Sequence, residues 1–411
     1  MSDLNEKSAF SGLKRKLRVY SCTPVSFIGD ESYFSRESGM YSRGLTKLGI
    51  ESRAVMANPA YAVDFPELLR TDYTNLISPD WWKSLNLDGV ILYSWAAPRF
   101  NGVAAALRHA GIPFLVQMDT CGLVSRESNP VEWFWNSWER SLHEKSWLEG
   151  KALAVLKHGV DGICSIIPRQ RAFHYTQATV VTVPTPLGTL WVRNEALMLG
   201  SAAVAGKIHY LPHPQDERFA YSGVKKEQLV VSIGRWGVES WPQKNPRALI
   251  EAYRLFLRRK PAWRGIIIGA GAAELLRRLG VEPVERLSFV EQVNHEELTD
   301  YLNLASVAFW SSRWEGQQGT GAQALCCGCS VVSHGSPLMS CFHHYVSRSS
   351  GRLAMRNHAE ALADALELES ESWDNGSRDP MKISSAWIPE FHATSVARRA
   401  LHLLGLRDDE K

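Results

Sequence analysis

No stretch of this chain reads as a membrane span. Its longest apolar runs fall far short of the ~18 residues that cross a bilayer. The opening residues Met1 to Lys16 are polar and contain no apolar signal core. Net charge is equally scarce: 46 Lys and Arg face 43 Asp and Glu, a formal balance of +3. So even a balance points away from nucleic acid, which is steered by concentrated basic surface. The seven cysteines lack the paired spacing of a disulfide scaffold. Cys326, Cys327 and Cys329 form a C-C-x-C cluster, but no second cluster completes a zinc site. An odd number of thiols without a leader fits reduced cysteines in a cytoplasmic protein. There is no short-period repeat.

What is present is an ordinary globular composition in 411 residues, 45% hydrophobic and 22% charged. That length predicts two or three domains. Strand-like runs alternate with helical patterns. Leu17–Ser21, Ser52–Met56, Gly89–Tyr93, Pro113–Met118, Gly162–Ile167 and Lys207–Leu211 read as strands. Gly39–Gly49, Val103–His109 and Leu148–Lys157 read as helices between them. The second half restarts the pattern, with strands Gln228–Ile233, Gly265–Ile268, Leu287–Val290, Val307–Trp310 and Ser330–Ser333. Its helices are Pro246–Arg259, Ala272–Leu279, Gly321–Cys327, Ala359–Leu368 and Val396–Leu404, with a turn-rich stretch over Glu369–Pro380. This alternation predicts two doubly wound α/β domains. The expected division is a tail over 1–16, a first domain over 17–211, a linker over 212–227 and a second domain over 228–390. Residues 391–411 are expected as a terminal helix packing back on the first domain.

Ligands of such sheets bind beyond the carboxyl ends of the strands, and four features fall there. Gly234-Arg235 follows a strand, with Lys244-Asn245 downstream; the two cations either converge on a phosphate or are ordinary surface charges. Gly269-Ala270-Gly271 is half of a dinucleotide fingerprint, with Glu274 where the third glycine would stand and Glu291 as a candidate ribose acid. Glu315-Gly316-Gln317-Gln318-Gly319-Thr320-Gly321-Ala322-Gln323 opens a helix whose free amides suit an anion such as a diphosphate, or forms a plain capped loop. His209 and His213 lie four apart, but Pro212 and Pro214 deny them a regular helix.

In this order and spacing the four features resemble the retaining GT-B glycosyltransferases, in particular glycosyltransferase family four (group 1). The resemblance is best over 207–368. There Gly234-Arg235…Lys244-Asn245, Gly269-Ala-Gly271 and Glu315-Gly316 through Val331-Val332 match its successive motifs. Leu211-Pro-His-Pro-Gln-Asp-Glu-Arg-Phe219 is similar to its I-P-N-G-V-D…F junction. Gly39 through Gly49 is similar to its glycine loop and first helix. The resemblance implies two Rossmann-like domains facing across a cleft. It also implies transfer of a sugar from a nucleotide-diphosphate donor to a glycan, lipid-linked or small hydroxylated acceptor. Arg235 and Lys244 would hold the diphosphate. Glu315 would orient the donor sugar, Gln323 would sit on the ribose, and Gly39, Gly234, Gly269, Gly271, Gly316, Gly319, Thr320 and Gly321 would line the donor. With two cations in place no metal is needed, and the chain has no D-x-D triplet. No cofactor beyond the nucleotide sugar is expected.

The departures shape the competing readings. Gln323 stands where the family has a second glutamate, and Gln318 and Glu291 replace glycines. Met118 stands where a donor-facing histidine is expected, which leaves Asp119 as a substitute acceptor for the sugar. Tyr93-Ser94-Trp95 replaces an H-x-H tract. These changes leave open a non-catalytic GT-B binding or scaffold protein. An NAD enzyme using Gly269 and Gly271 is a third reading. Of 15 tryptophans, Trp81, Trp82, Trp95, Trp133, Trp135, Trp138 and Trp147 cluster in the first domain. They read either as core or as an acceptor platform around Trp133–Trp147. Exposed tryptophan and Lys14–Lys16 are the features through which the chain would touch the inner face of a membrane.

Overall fold

The computed structural model describes residues 15–25, 37–57, 66–119 and 163–406, with 126–127, 129–131, 133–135, 152, 156 and 159–160 between them. Short runs of apolar and β-branched residues form the strands. β1 (Val19–Thr23), β2 (Ala54–Ala57), β3 (Leu68–Thr71), β4 (Gly89–Tyr93), β5 (Phe114–Gln117), β6 (Val180–Val183) and β7 (Ile208–Tyr210) make one sheet in the order β3-β2-β1-β4-β5-β6-β7. β8 (Glu227–Ile233), β9 (Arg264–Ile268), β10 (Leu287–Val290), β11 (Ala305–Phe309), β12 (Ser330–His334) and β13 (Gly351–Ala354) make a second, ordered β10-β9-β8-β11-β12-β13. Every pairing is parallel. Parallel sheets need both faces covered, so their central strands are buried on both sides. β1, β4, β11 and β12 are buried at every position.

Helices supply the covering layers. Along Pro246–Arg259, Leu249, Ile250, Tyr253, Phe256 and Leu257 recur on one face and are buried. Proline at its first position and two arginines in its last turn suit the helix ends. The terminal helix Ala393–Leu403 leaves the second half and lies on the helix Glu37–Lys47. Val396, Ala397, Ala400 and Leu401 there share a core with Tyr41, Leu45, Ile91 and Leu115. The contact is close enough that a Cβ on Gly44 would lie 2.3 Å from the Ala393 carbonyl oxygen. Beside it, the Gln215 amide donates to the Phe391 carbonyl (2.8 Å) and the Ala393 amide donates to the Gln215 carbonyl (2.9 Å). The chain's two passages between the sheets therefore run side by side.

Several local expectations need correction. The strand expected at Gly162–Ile167 is absent: Ile163 and Cys164 are helical, and Ile166–Gln177 is a helix with Pro168 in its first turn. The sixth strand is instead Val180–Val183, followed by the capped turn Thr185-Pro186. β3 and β13 were not anticipated; each is four residues long, with two central residues only partly buried. Glu369–Pro380 is not one turn. The helix Ala359–Asp374 runs on, and Trp373 donates to the Ser330 hydroxyl at 2.9 Å. A further helix, Pro380–Phe391, starts where Asp379 accepts the Met381 and Lys382 amides. The turn after β9 delays its helix to Leu275–Leu279. Of the expected helix Leu148–Lys157 only Ala152 and Leu156 are described, both helical.

Candidate functional site

In each sheet the strand order reverses once, between β1 and β4 and between β8 and β11. A crevice opens at such a reversal, because the connections leave in opposite directions. Gly234-Arg235 is the exit of β8 and Ser311–Gln318 the exit of β11, so two sequence-predicted segments meet at one switch point.

The β8 exit is fastened to that of β9. The Gly234 amide donates to the Ile268 carbonyl (3.1 Å), and the Trp236 amide donates to that of Ala270 (2.8 Å). Gly269 has φ +130°, and a Cβ there would sit 1.9 Å from the Gly234 oxygen. Gly271, at φ +85°, faces the Trp236–Gly237 backbone. These two glycines are thus accounted for by backbone contact between neighbouring loops. The anion-binding turn they form is filled from within: the Glu291 carboxylate accepts the Gly271 and Ala273 amides, both at 3.0 Å. Glu291, the candidate ribose acid of the NAD reading, is committed to that turn.

Arg235 is exposed and has no hydrogen-bond or ionic partner among the described residues. Lys244 differs: it is buried, and its Nζ lies 2.5 Å from Glu315 Oε1, also buried. Gln243 Nε2 donates to the other carboxylate oxygen at 3.3 Å, and Gln318 Nε2 to Oε1 at 3.4 Å. The surrounding backbone holds this pair in place. Asn245 takes a left-handed conformation (φ 51°), Ser311 Oγ donates to the Lys244 and Asn245 carbonyls, and the Arg313 amide donates to the Gln243 carbonyl at 2.7 Å. Glu315 itself bridges to Met339, its amide donating to Leu338 (2.9 Å), while Ser340 Oγ reaches the Glu315 and Gly316 carbonyls. Lys244 and Glu315 thus form a buried ion pair at the exit of β11, and Arg235 stands exposed at the exit of the neighbouring β8, without a partner among the described residues.

The helix Gly319–Cys326 begins next to that pair. Its Gly321 and Ala322 amides return to the Gln318 carbonyl (3.0 and 3.2 Å). The Gly319 and Thr320 amides have no acceptor among the described residues, as expected for a helix start without a side-chain cap. Thr320 Oγ1 and Gln323 Oε1 are buried and have no partner among the described residues. Gly321 admits Tyr345, whose ring would lie 3.0 Å from an added Cβ.

In the first sheet, Gly39 is buried in the opening turn of the helix Glu37–Lys47, beside Ser38, whose carbonyl accepts the Ser21 hydroxyl at 2.6 Å. Asp119 follows β5 and is half-buried. Met118 is a core residue; its sulfur accepts the Tyr175 hydroxyl at 3.0 Å. A histidine does reach this point, from a different segment. His213 Nε2 donates to the Met118 carbonyl at 3.0 Å, and its ring meets Tyr93 edge-on at 5.3 Å. In the sequence His213 stands between Pro212 and Pro214, which deny it a regular helix and give no sign of a site. Only the crossover, which brings Leu211 into the first core, reveals its position. His174 is a further buried histidine, between Ser94 Oγ (3.3 Å) and Asn101 Oδ1 (2.7 Å), and burial lowers it to about 4.

The tryptophans divide. Trp82 is core and donates to the Leu76 carbonyl at 2.8 Å. Trp133 packs with Trp191, Leu187, Leu338 and Trp314, a cluster joining the two halves. Phe134 and Trp135 are exposed and meet edge-on at 5.3 Å. Trp138 and Trp147 lie outside the described residues. Cys326, Cys327 and Cys329 are core residues whose thiols are pushed up by burial. Between the halves, burial would raise Glu390, but hydrogen bonds from His344 and Tyr210 and the Arg399 charge outweigh it and hold the carboxyl at about 2. No described helix is long and apolar enough to cross a membrane.

Residues 227–368 match the family model described as glycosyl transferases group 1. No curated protein matches the chain. Solved structures do. A glycosyltransferase from Rickettsia africae superposes with a TM-score of 0.63 at 13% identity, over 97% of this chain and 100% of that one. The lipopolysaccharide outer core galactosyltransferase WaaB gives 0.59 at 13%, over 95% and 99%. Anabaena Alr3699/HepE in complex with UDP and glucose gives 0.58 at 12%, over 94% and 99%. Two Rossmann-like parallel sheets, joined by a double crossover and superposing on these structures along nearly their whole length, give this chain the GT-B fold of glycosyltransferases.

Proposed function

We propose that the chain is a glycosyltransferase that moves a sugar from a nucleoside diphosphate to a hydroxyl of a glycan, lipid-linked or small acceptor, with retention and without a metal. One observation carries the reading: exposed Arg235, the buried Lys244–Glu315 pair and the start of the helix Gly319–Cys326, whose first amides have no acceptor among the described residues, stand at the exits of the strands that flank the β8/β11 switch point. In the reaction the acceptor oxygen bonds to the anomeric carbon as the bond from that carbon to the diphosphate breaks. The electron pair leaves on the diphosphate and the acceptor proton is released. Charge therefore grows on the leaving phosphate, and Arg235, Lys244 and the Gly319 and Thr320 amides supply positive potential there. Glu315 keeps Lys244 oriented and presents its second oxygen to sugar hydroxyls. Asp119 would meet the sugar from the first domain. The UDP and UDP-glucose held by the Anabaena structures support a nucleotide-sugar donor.

The test is thermal shift with UDP, ADP and GDP, their sugars and NAD, followed by product detection with a hydroxylated acceptor panel. A selective shift with one nucleotide series, lost in Arg235→Ala, is expected, as is transfer that persists in a chelator. A shift with NAD alone would reject the reading.

Met118, buried in the core where a donor-facing histidine would stand, favours a second reading: a GT-B protein that binds the nucleotide and transfers nothing. Binding without product across donors and acceptors would select it.

A further inference from the structure

We infer that Gln215 is a positioning residue that turns the Gln323 amide so that its oxygen faces the bound nucleotide, making the site selective for a hydroxyl donor on the ribose. The inference rests on the functional reading above and goes past it to a residue outside the donor motifs.

A backbone carbonyl can only accept. The His213 carbonyl takes Gln215 Nε2 at 3.3 Å and Gln317 Nε2 at 3.2 Å. Gln317 is fixed independently, because its Oε1 accepts the His213 amide at 2.6 Å. With its nitrogen committed to that carbonyl, Gln215 must turn Oε1 the other way. That oxygen accepts Gln323 Nε2 at 3.0 Å. The polarity passes along the chain, so the Gln323 nitrogen is spent on Gln215 and its oxygen is left over. Gln323 Oε1 is buried and has no partner among the described residues. An amide oxygen without a donor is costly when buried. The group that relieves it must donate, as a hydroxyl does and a phosphate oxygen does not.

A second orphan lies on the same helix. Thr320 Oγ1 is also buried, with no partner among the described residues. It stands three residues before Gln323 and so shares its helix face. A hydroxyl there both donates and accepts. An acceptor beside a donor–acceptor is the complement of two neighbouring hydroxyls, the pattern of a ribose.

The same relay explains why a neutral side chain stands at 323. A carboxylate would have to receive Gln215 Nε2. Gln215 would then aim its oxygen at the His213 carbonyl, two acceptors face to face. Gln215 is itself pinned, with its backbone bonded to Phe391 and Ala393, and it has little freedom to withdraw.

The experiment is calorimetric titration of the full chain with UDP, ADP and GDP and their 2′-deoxy and 3′-deoxy counterparts. Wild type should bind one ribonucleotide series. Removing one hydroxyl should weaken it about five- to tenfold, the worth of one neutral hydrogen bond. Gln215→Met should weaken the ribonucleotide to the level of that deoxy form and leave the deoxy form unchanged, a loss of discrimination that general damage does not produce. Gln323→Glu should weaken binding and carries the test if Gln215→Met does not fold. Retained discrimination in Gln215→Met, tighter binding in Gln323→Glu, or equal affinity of wild type for ribo and deoxy forms would overturn the inference alone. A folded wild type that binds no nucleoside diphosphate would overturn the functional reading and this inference with it.

Discussion

Replacing Lys244 with methionine removes one member of a buried ion pair while keeping its stem. Glu315 is then left as a carboxylate that is 6% exposed. Removing one partner of such a pair costs about 3–5 kcal/mol, because the remaining charge stays desolvated. Here Gln243 and Gln318 still donate to the carboxylate at 3.3 and 3.4 Å, so the low end applies, about 3 kcal/mol. For a domain of this size that corresponds to a fall in Tm of about 6–12 °C. Urea denaturation and calorimetry measure both. Lys244→Met/Glu315→Gln is neutral at both positions and should recover most of the loss, the non-additivity expected of contacting groups. Ligand separates the structural from the binding role. A nucleoside diphosphate at 100-fold its Kd stabilises wild type by about 2.7 kcal/mol, and both variants should lose that increment. A single variant within about 0.5 kcal/mol of wild type, the scatter of ordinary surface changes, would refute the packing argument. A double variant that keeps the ligand increment would refute the phosphate contact.

Three further outcomes follow from the geometry. Gly44→Val should release the terminal helix, since a Cβ there meets the Ala393 oxygen at 2.3 Å; limited proteolysis should cut after about residue 391 in the variant and not in wild type. Gly269→Ala should destabilise by more than the ~1 kcal/mol that the same change gains at a compatible site, because a positive φ combines with a contact of 1.9 Å to the Gly234 oxygen; its reduced stability and weakened nucleotide shift should appear together. Glu390→Gln tests the cluster between the halves. An unfolded Glu390 takes up a proton as pH falls through the ordinary 4.5, while the folded carboxylate resists until about 2, so its contribution is complete above 4.5 and is lost between those values. The Tm difference between wild type and Glu390→Gln should therefore close as pH falls from 4.5 towards 2.

Local chemistry made much of the second half legible. Pro246–Arg259 shows its proline start, apolar face and basic end in the sequence alone, and the structure has that helix. The strands before Gly234 and Gly269 are apolar runs stopped by glycine, a signal that needs no tertiary information. The strand expected at Gly162–Ile167 failed because a short apolar run fits either period, and Pro168 suited a helix start. β3 and β13 escaped because only two of their four residues are fully buried, which erases the apolar run.

The sequence by itself determined the alternation of strand and helix, and hence two parallel sheets. It also set the order in which glycine, cations and carboxylate leave the strand ends, because these depend on neighbours along the chain. Only the tertiary structure decided how those groups are used. Gly269 and Gly271 serve the approach of two loops, Glu291 fills the turn they make, and Lys244 is paired with Glu315. His213 reaches the end of β5 and Gln215 reaches Gln323 because the crossover runs beside the helix start. Such contacts join residues about a hundred positions apart. Hydrogen-bond polarity at these points is set by backbone groups that no local pattern can place.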